Sequence, residues 1–403
     1  MLVHTKIAFC LPRCAAQPAS ARRFFSARRM PIFRTATIIA TAALFYFTLW
    51  QSIAAADQGG QGDWIHPGEI WPDDRGQHIQ AHGGSIIKVG DLYYWFGEDR
   101  ARGQDRSKRY VGCYSSPDLI HWTFRNQVIK LANPENFNLG WVLERPKVFY
   151  NAATQKFVMY MHIDGSLGGQ RGSYNLARVG TATCDTVDGD YTYLHSFRPL
   201  GHESRDIGQF VDDDGTAYLI SEDRPNGFHI YKLSDDYLSI DKDVCLIRQH
   251  MEGGALVHYN GLYYSIGSHL TSWDPNPNEY ATATKLEGPW SEFKNIAPPE
   301  TNTYGSQSTM LLKVVGSQTT SVIFMGDMWK PRNLADSRYL WMPLEIGEGK
   351  LWLSKPQSWT FDVKTGESRL ADQPAHGNAA GKSGEKSGTP DAKSGEDNPF
   401  EDH

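Results

Sequence analysis

Five stretches of the 403-residue chain open on a polar side chain set directly before an apolar run. Three of those openings are carboxylates, Glu144, Asp206 and Glu252, and the other two carry His82 and Gln307. The same stretches close on Glu98, Asp164, Glu222, His269 and Asp327. Charged groups at the ends of apolar runs are costly to bury unpaired, so they belong at a surface or in a shared polar pocket. Paired carboxyl groups on either side of an acetal carbon do one kind of chemistry well. A protonated acid assists the leaving oxygen while a group on the opposite face activates water, which is glycoside cleavage. Glu252 is the candidate acid, its pKa raised by partial burial and neighbouring carboxylates, and Asp206 is the carboxylate that holds or tunes it. Glu144 is the third member. Taken singly, each acid reads equally well as a rim residue or as a partner of Arg145 or Arg205; their shared position argues against that.

The elements that must position these residues are short strands. From Gln80 to Phe361 aromatic and β-branched runs alternate with Gly, Asp and Asn, and no helical period emerges. Five units begin QAHGGSIIKVGDLYYWFGED, ERPKVFYNAATQKFVMYMHID, RDIGQFVDDDGTAYLISED, EGGALVHYNGLYYSIGSH and SQSTMLLKVVGSQTTSVIFMGD. Gly90 with Asp91, Asp214 with Gly215 and Asn260 with Gly261 supply hairpin turns. A second pair of strand-like runs follows each opening, for example RYVGCYSSPDLIHWTF and RYLWMPLEIGEGKLWL. Four strands per unit, repeated at about 45 to 60 residues, predict an all-β, five-bladed β-propeller; a sandwich does not explain the repeat, and a β-helix repeat is far shorter. Within a hairpin the start of one strand lies beside the end of the next. Five inner hairpins therefore gather both sets of side chains at one mouth of the channel.

The rest of the chain bounds this reading. Hydrophobic residues make up 40% of it and the formal net charge is −6 without a basic stripe, which fits a large core and excludes a nucleic-acid partner. Residues 1–56 read as an export segment. Arg22, Arg23, Arg28, Arg29 and Arg34 precede an uncharged run to Ala56, with Ala54 and Ala56 as the cleavage signature and Met30 as an alternative start. Secretion or periplasmic delivery follows, by the general or the twin-arginine route, with an uncleaved membrane anchor as the alternative and no membrane contact after processing. Residues 57–79 form a lead-in, 80–362 the propeller, and 363–403, rich in Gly, Ser, Lys and Glu, a disordered tail. Cys113, Cys184 and Cys245 show no metal-ligand spacing and allow at most one disulfide. A monomer is expected.

The stretch from Gly76 to Phe361 resembles glycoside hydrolase family 43, and the motifs ERPKV, SRDIGQFVDDDGTAYLISED, SHLTSWDPN and TNTYGSQST are similar to its exo-β-1,3-galactanase branch. The resemblance implies an inverting, exo-acting enzyme that releases galactose from the β-1,3-galactan backbone of arabinogalactan-type polymers. It places Glu252 on the general acid, Asp206 on the modulator of that acid, and Glu98, Glu144, Tyr174 and Thr271 in a galactose pocket. The wider family carries an aspartate base on the first blade, where this chain reads QAHGGS. In the galactanase branch Gln307 falls on a glutamine that orients or activates the water. An amide is scarcely basic, so Gln307 acts through an imidic-acid tautomer, or positions a water whose proton leaves to Glu144, or only binds a sugar hydroxyl.

Trp273 and Trp329, with Tyr174, are candidate sugar platforms. The run Asp212 to Gly215 is a hairpin turn rather than a calcium loop, whose ligands would spread over about twelve residues. No cofactor is required, no metal ligands are assigned, and a structural calcium ion is allowed without being indicated. Two other readings stay open: a propeller that binds galactan without cutting it, and another activity of the family such as arabinofuranosidase or xylosidase.

Overall fold

The computed structural model describes residues 63–138, 140–167 and 174–372. The export segment of 1–56 and the tail beyond 372 lie outside the described residues. Four antiparallel sheets of four strands each follow one another along the chain. Blade one holds His82–Val89, Leu92–Glu98, Lys108–Ser116 and Thr123–Ala132; blade two holds Val142–Asn151, Lys156–Asp164, Arg178–Cys184 and Thr192–Phe197. Blade three holds Ile207–Val211, Ala217–Asp223, Gly227–Leu233 and Ile240–Ile247; blade four holds Met251–Tyr259, Leu262–His269, Asn278–Ala283 and Lys294–Asn295. Blade five begins with Gln307–Val315, Thr320–Met328 and Arg338–Pro343. The first strand of each blade packs against that of the next, and the first strand of blade five packs against that of blade one, which closes the ring. The expected five-bladed propeller is the fold.

Local chemistry explains the hairpins. Asn260 and Gly261 adopt φ of 48° and 78° between the paired residues Tyr259 and Leu262, the left-handed pair that a two-residue hairpin turn of matching twist requires. The inner strands carry a second feature. Pairing register slips just after the first polar residue in blade one (between His82 and Ser85), blade two (Glu144 and Lys147) and blade four (Glu252 and Ala255), and again between Ser308 and Met310 of blade five. Such bulges turn a side chain away from the sheet normal and bend the strand. Here they direct the functional residues to the mouth of the channel.

The seam between the last and first blades is closed by the lead-in. Ile65 exchanges backbone hydrogen bonds with Trp359, and Gly68 N donates to Tyr339 O at 2.8 Å. The Trp71 ring packs against both Trp95 of blade one and Trp341 of blade five, with ring centres 5.8 and 5.0 Å away, and those two rings meet each other at 4.5 Å. The buried Tyr339 hydroxyl donates to Ile79 O and accepts from Ala81 N, so both of its hydrogen-bonding roles are spent on the incoming chain. Among the described residues, no helix is long and apolar enough to cross a membrane.

Two expectations need correction. The fifth sheet has three strands, because Glu345–Gly347 and Lys350–Trp352 pair with each other as a separate hairpin. The hairpin leans instead toward blade four, with Gly349 N donating to the Tyr264 hydroxyl and Leu353 N to Ile296 O. The ordered chain also runs past 362. Glu367–Leu370 pairs with Trp359–Asp362, and Ser317 N and Gln318 N donate to Lys364 O and Thr365 O. Composition marked these residues as tail, but a four-residue strand laid on an existing edge needs no core of its own. A chain ended at Asp362 is therefore expected to melt several degrees below one ended at Asp372, at about 2–4 °C per kcal/mol lost. Equal melting temperatures would return residues 363–372 to the tail.

Candidate functional site

The polar ends of the inner hairpins meet at one mouth of the channel, around a cavity of about 470 Å³. Glu98, Glu144, Asp206, Glu252, Gln307, Tyr174, Trp273 and Trp329 all line it, so seven residues of the sequence-derived site and one further platform share one pocket. Thr271 does not line it. Its hydroxyl turns back into its own loop, donating to Asp274 O and accepting from Asn276 Nδ2, while Ser272 and Trp273 take the wall. His82 is buried beside the site, stacked on Tyr339 at 4.8 Å with Nδ1 3.1 Å from Asp327. His269 faces Glu279 outside the cavity.

On one wall three carboxylates crowd together. Asp206, Glu222 and Glu252 each bring an oxygen within 4.8 Å of the others. Glu252 Oε1 accepts from Gln307 Nε2 at 3.0 Å and Oε2 from Arg224 Nη2 at 3.1 Å. Asp206 Oδ2 lies 2.8 Å from Arg145 Nη2 and accepts from Gly253 N at 2.9 Å. Glu222 sits behind, accepting from Arg224 Nε at 2.7 Å and from Asp206 N at 3.1 Å. Burial, followed by the charges of Asp206 and Glu222, pushes the Glu252 carboxyl up to about 8, against the pull of Arg145 and Arg224. Burial and Asp206 raise Glu222 as well. A carboxyl that keeps its proton near neutral pH, in an open pocket, has the makings of a general acid.

Gln307 is tied at all four of its hydrogen-bonding positions. Its Oε1 accepts from Arg145 Nη2 and from Trp329 Nε1 at 2.9 Å, and its Nε2 donates to Glu252 and to Ser268 Oγ, each at 3.0 Å. Those partners fix which end of the amide is oxygen. They also favour the amide over the imidic acid, since a proton on Oε1 would face two donors.

Another wall is built on Glu144. Tyr174 donates to its Oε1 at 2.7 Å, His162 Nδ1 stands 3.2 Å from Oε2, and Arg100 is 3.7 Å from Oε1. His162 is clamped from behind by Asp164 at 3.2 Å, and Asp164 also accepts from Arg205 at 3.1 Å. Burial alone would raise Glu144, but His162, Arg100 and the Tyr174 hydroxyl hold it down to about 2. Burial would lower His162; its contacts with Asp164 and Glu144 lift it to about 9. Glu98, beneath Arg100, is pushed up chiefly by burial. The two walls thus hold carboxyls of opposite character, one kept protonated and one kept charged.

The acids were legible from position, but their cationic partners were not. Arg145 and Arg205 entered the sequence reading only as competitors for the acids. Arg224, His162 and Ser268 did not enter it, although Arg224 stands two residues after Glu222, a spacing that puts both side chains on one side of an extended chain. Among the described residues, two other clusters could hold a cation: His202 with Asp223 and His229, and Asp212 and Asp213 with His258, where Lys313 already pairs with Asp213. Neither touches the cavity.

The profile of the glycosyl hydrolases family 43 matches residues 79–310. Among solved structures, the chain is similar to the exo-β-1,3-galactanase of Phanerochaete chrysosporium, crystallised with galactose. Identity is 38% and the TM-score 0.70, over 76% of this chain and 70% of that one. An exo-β-1,3-galactanase from Clostridium thermocellum is 36% identical with a TM-score of 0.69, over 76% of this chain and 68% of that one. A putative exo-β-1,3-galactanase from Bifidobacterium bifidum is 36% identical with a TM-score of 0.65, over 72% of this chain and 97% of that one. No curated protein matches the chain.

The raised carboxyl of Glu252 has a cost in stability with a definite sign. Its folded-state pKa of about 8 exceeds the ordinary 4.5, so the contribution of its proton is fully present below pH 4.5 and is lost as pH rises through about 8. Glu252→Gln keeps the shape without the titration. The variant is expected to melt above the parent at pH 8, with the gap narrowing steadily toward pH 4.5. A gap that does not change with pH would show that Glu252 titrates normally.

Proposed function

The chain belongs to glycosyl hydrolases family 43, and from that membership we propose that it is an inverting, exo-acting hydrolase that removes terminal galactose from β-1,3-galactan. The observation that carries the reading is Glu252: a carboxyl pushed up to about 8 inside a cavity whose other wall holds an ionised carboxylate. The similar enzymes from Phanerochaete chrysosporium and Clostridium thermocellum are exo-β-1,3-galactanases, which supports galactan as the polymer.

In this reading Glu252 gives its proton to the glycosidic oxygen as the bond to the anomeric carbon breaks, and water adds to that carbon from the far side. Asp206 and Glu222 keep the proton on Glu252 until then. Glu144 binds galactose hydroxyls together with Tyr174 and Glu98, because a carboxylate held near 2 is a weak base and a strong hydrogen-bond acceptor. Gln307 then orients the water as an amide. To do so it releases one of its four partners. Trp329 is the least buried of them, so opening that bond frees one lone pair on Oε1 toward the pocket. The water's proton leaves to solvent through Glu144 at the end of the step, when the incipient oxygen–carbon bond has made it acidic. Trp273, exposed and edge-on to Trp329 at 5.9 Å, gives the departing sugar an apolar face to rest on. A propeller that only bound galactan would have no use for a carboxyl held in its acid form. We also read the protein as exported, on its Arg-rich start and the apolar run that follows.

Purified protein given β-1,3-galactobiose is expected to release galactose that appears first as the α-anomer by proton NMR. First appearance of the β-anomer would refute inversion. Glu252→Gln should cost about 10²- to 10⁴-fold in kcat with little change in KM. An undiminished rate would remove Glu252 from the reaction.

A further inference from the structure

Glu252 has a difficulty that the proposed reaction must resolve. Both of its oxygens accept N–H bonds, Oε1 from Gln307 and Oε2 from Arg224, so a donor stands at each oxygen where an incoming acceptor would have to come to receive the proton. One of the two donors has to leave. Gln307 is held by Arg145, Ser268 and Trp329 besides Glu252. Arg224 is held far less firmly. Its side chain is 45% exposed, it lines the cavity, and its Nη2 stands 3.1 Å from Oε2, where a glycosidic oxygen must come to receive the proton.

We propose that Arg224 is a substrate-displaced clamp, a positioning residue that occupies Oε2 of Glu252 in the free enzyme and withdraws when the departing sugar enters, so that the glycosidic oxygen takes its place beside the acid. The inference rests on the reading of Glu252 as the acid. The geometry provides a pivot for the movement. Arg224 Nε stays on Glu222 Oε1 at 2.7 Å, while its backbone is fixed by His250 Nδ1 on its carbonyl at 2.9 Å and by the Asn226 N to Asp223 O bond that closes the turn. The planar guanidinium turns as one unit about the Glu222 contact, which carries Nη2 off Oε2.

The charged groups facing Glu252 decide what the swing does. Asp206 and Glu222 oppose its ionisation, and Arg145 and Arg224 favour it. Arg145 is buried, bonded to Asp206, Gln307 and Ser308 O, and does not move. Withdrawing Arg224 therefore leaves two carboxylates against one fixed cation, and Glu252 holds its proton more firmly until the glycosidic oxygen is in place. That proton passes to the glycosidic oxygen as the carbon–oxygen bond breaks. The water that adds to the anomeric carbon returns one proton to solvent, so the cycle balances. When the product leaves, Arg224 closes again on the carboxylate. The clamp also pairs the charge that Glu252 carries once its proton has gone, until solvent restores that proton.

The test follows the Glu252 carboxyl carbon by NMR in the full chain labelled with carboxyl-¹³C glutamate, the resonance being identified by its loss in Glu252→Gln. In Arg224→Met the Glu252 titration is expected to move up by about one pH unit or more, the size of the effect of an opposite charge at hydrogen-bonding distance. Arg224→Lys, which keeps a cation on a shorter reach, should fall between the two. An unmoved titration in Arg224→Met overturns the clamp. Turnover then tests displacement. In the parent enzyme the alkaline limb of kcat should lie above that of kcat/KM, and in Arg224→Met the two limbs should coincide. Coincident limbs in the parent would also overturn it. The titration needs no substrate, so a shifted Glu252 in a protein that leaves β-1,3-galactobiose intact sustains the clamp and places the failure in the galactan reading.

Discussion

Everything at the mouth of this propeller is arranged around one buried guanidinium. Arg145 comes from the inner strand of blade two, is only 4% exposed, and reaches across the axis. It pairs with Asp206 at the entry to blade three and donates to Gln307 and to Ser308 O of blade five, while its backbone N donates to Glu98 of blade one. A charge in that position is tolerable only if fully paired, because removing it from water costs several kcal/mol before any contact is made. The chain meets that cost by directing acidic, amide and carbonyl groups from three sheets toward one point. Convergence of the site and satisfaction of Arg145 are the same event.

The backbone shows how firmly this is imposed. In blades one and four the residue after the functional side chain is a glycine with left-handed φ, Gly83 at 57° and Gly253 at 66°. In blade two the equivalent residue is Arg145 itself, at 49°. A side chain in that region costs on the order of 1–3 kcal/mol unless the surroundings dictate it, and here they do. Glycine would relax the backbone at the loss of the cation. The bulge that follows also frees carbonyls from the sheet ladder. Those of Gly83 and Gly84 turn to the axis, where Lys147 Nζ binds both, along with Thr309 O and Oγ1. Burial pulls Lys147 down to about 7, and the ring of oxygens is what keeps so deep an amine in place. Two cations from one strand, two residues apart, thus stitch blade two to blades one and five.

These relations explain which parts of the molecule were legible in the sequence. Strand pairs with Asn-Gly or Asp-Gly between them announce themselves, and so does a repeat. The carboxylates at the strand ends were legible too, because a charge next to an apolar run has few places to go. The cations were not. Arg145, Arg224 and His162 act across blades, and no local spacing records that Arg224 will meet Glu252 or that His162 will lie between Glu144 and Asp164. Thr271 misled because a motif fixes a position along the chain but not the direction of a side chain within a loop. The strand at Glu367–Leu370 was hidden for a related reason. Composition measures whether a segment can build a core, whereas this one borrows an edge already built.

The distribution of charge at the site follows from which cations can move. Arg145 and the His162–Asp164 pair are buried, and the groups they hold, Asp206 and Glu144, keep their partners in place. Arg224 is half exposed, and the group it holds is the one whose charge must change. A pocket made only of buried pairs would be stable and inert, since no carboxyl in it could gain or lose a proton without leaving a partner unpaired. A pocket with no pairs would not keep Glu144 charged and Glu252 protonated in one cavity. The arrangement seen here separates the two demands by exposure: the pairs that fix the substrate rest on buried cations, and the pair that has to open rests on a half-exposed one.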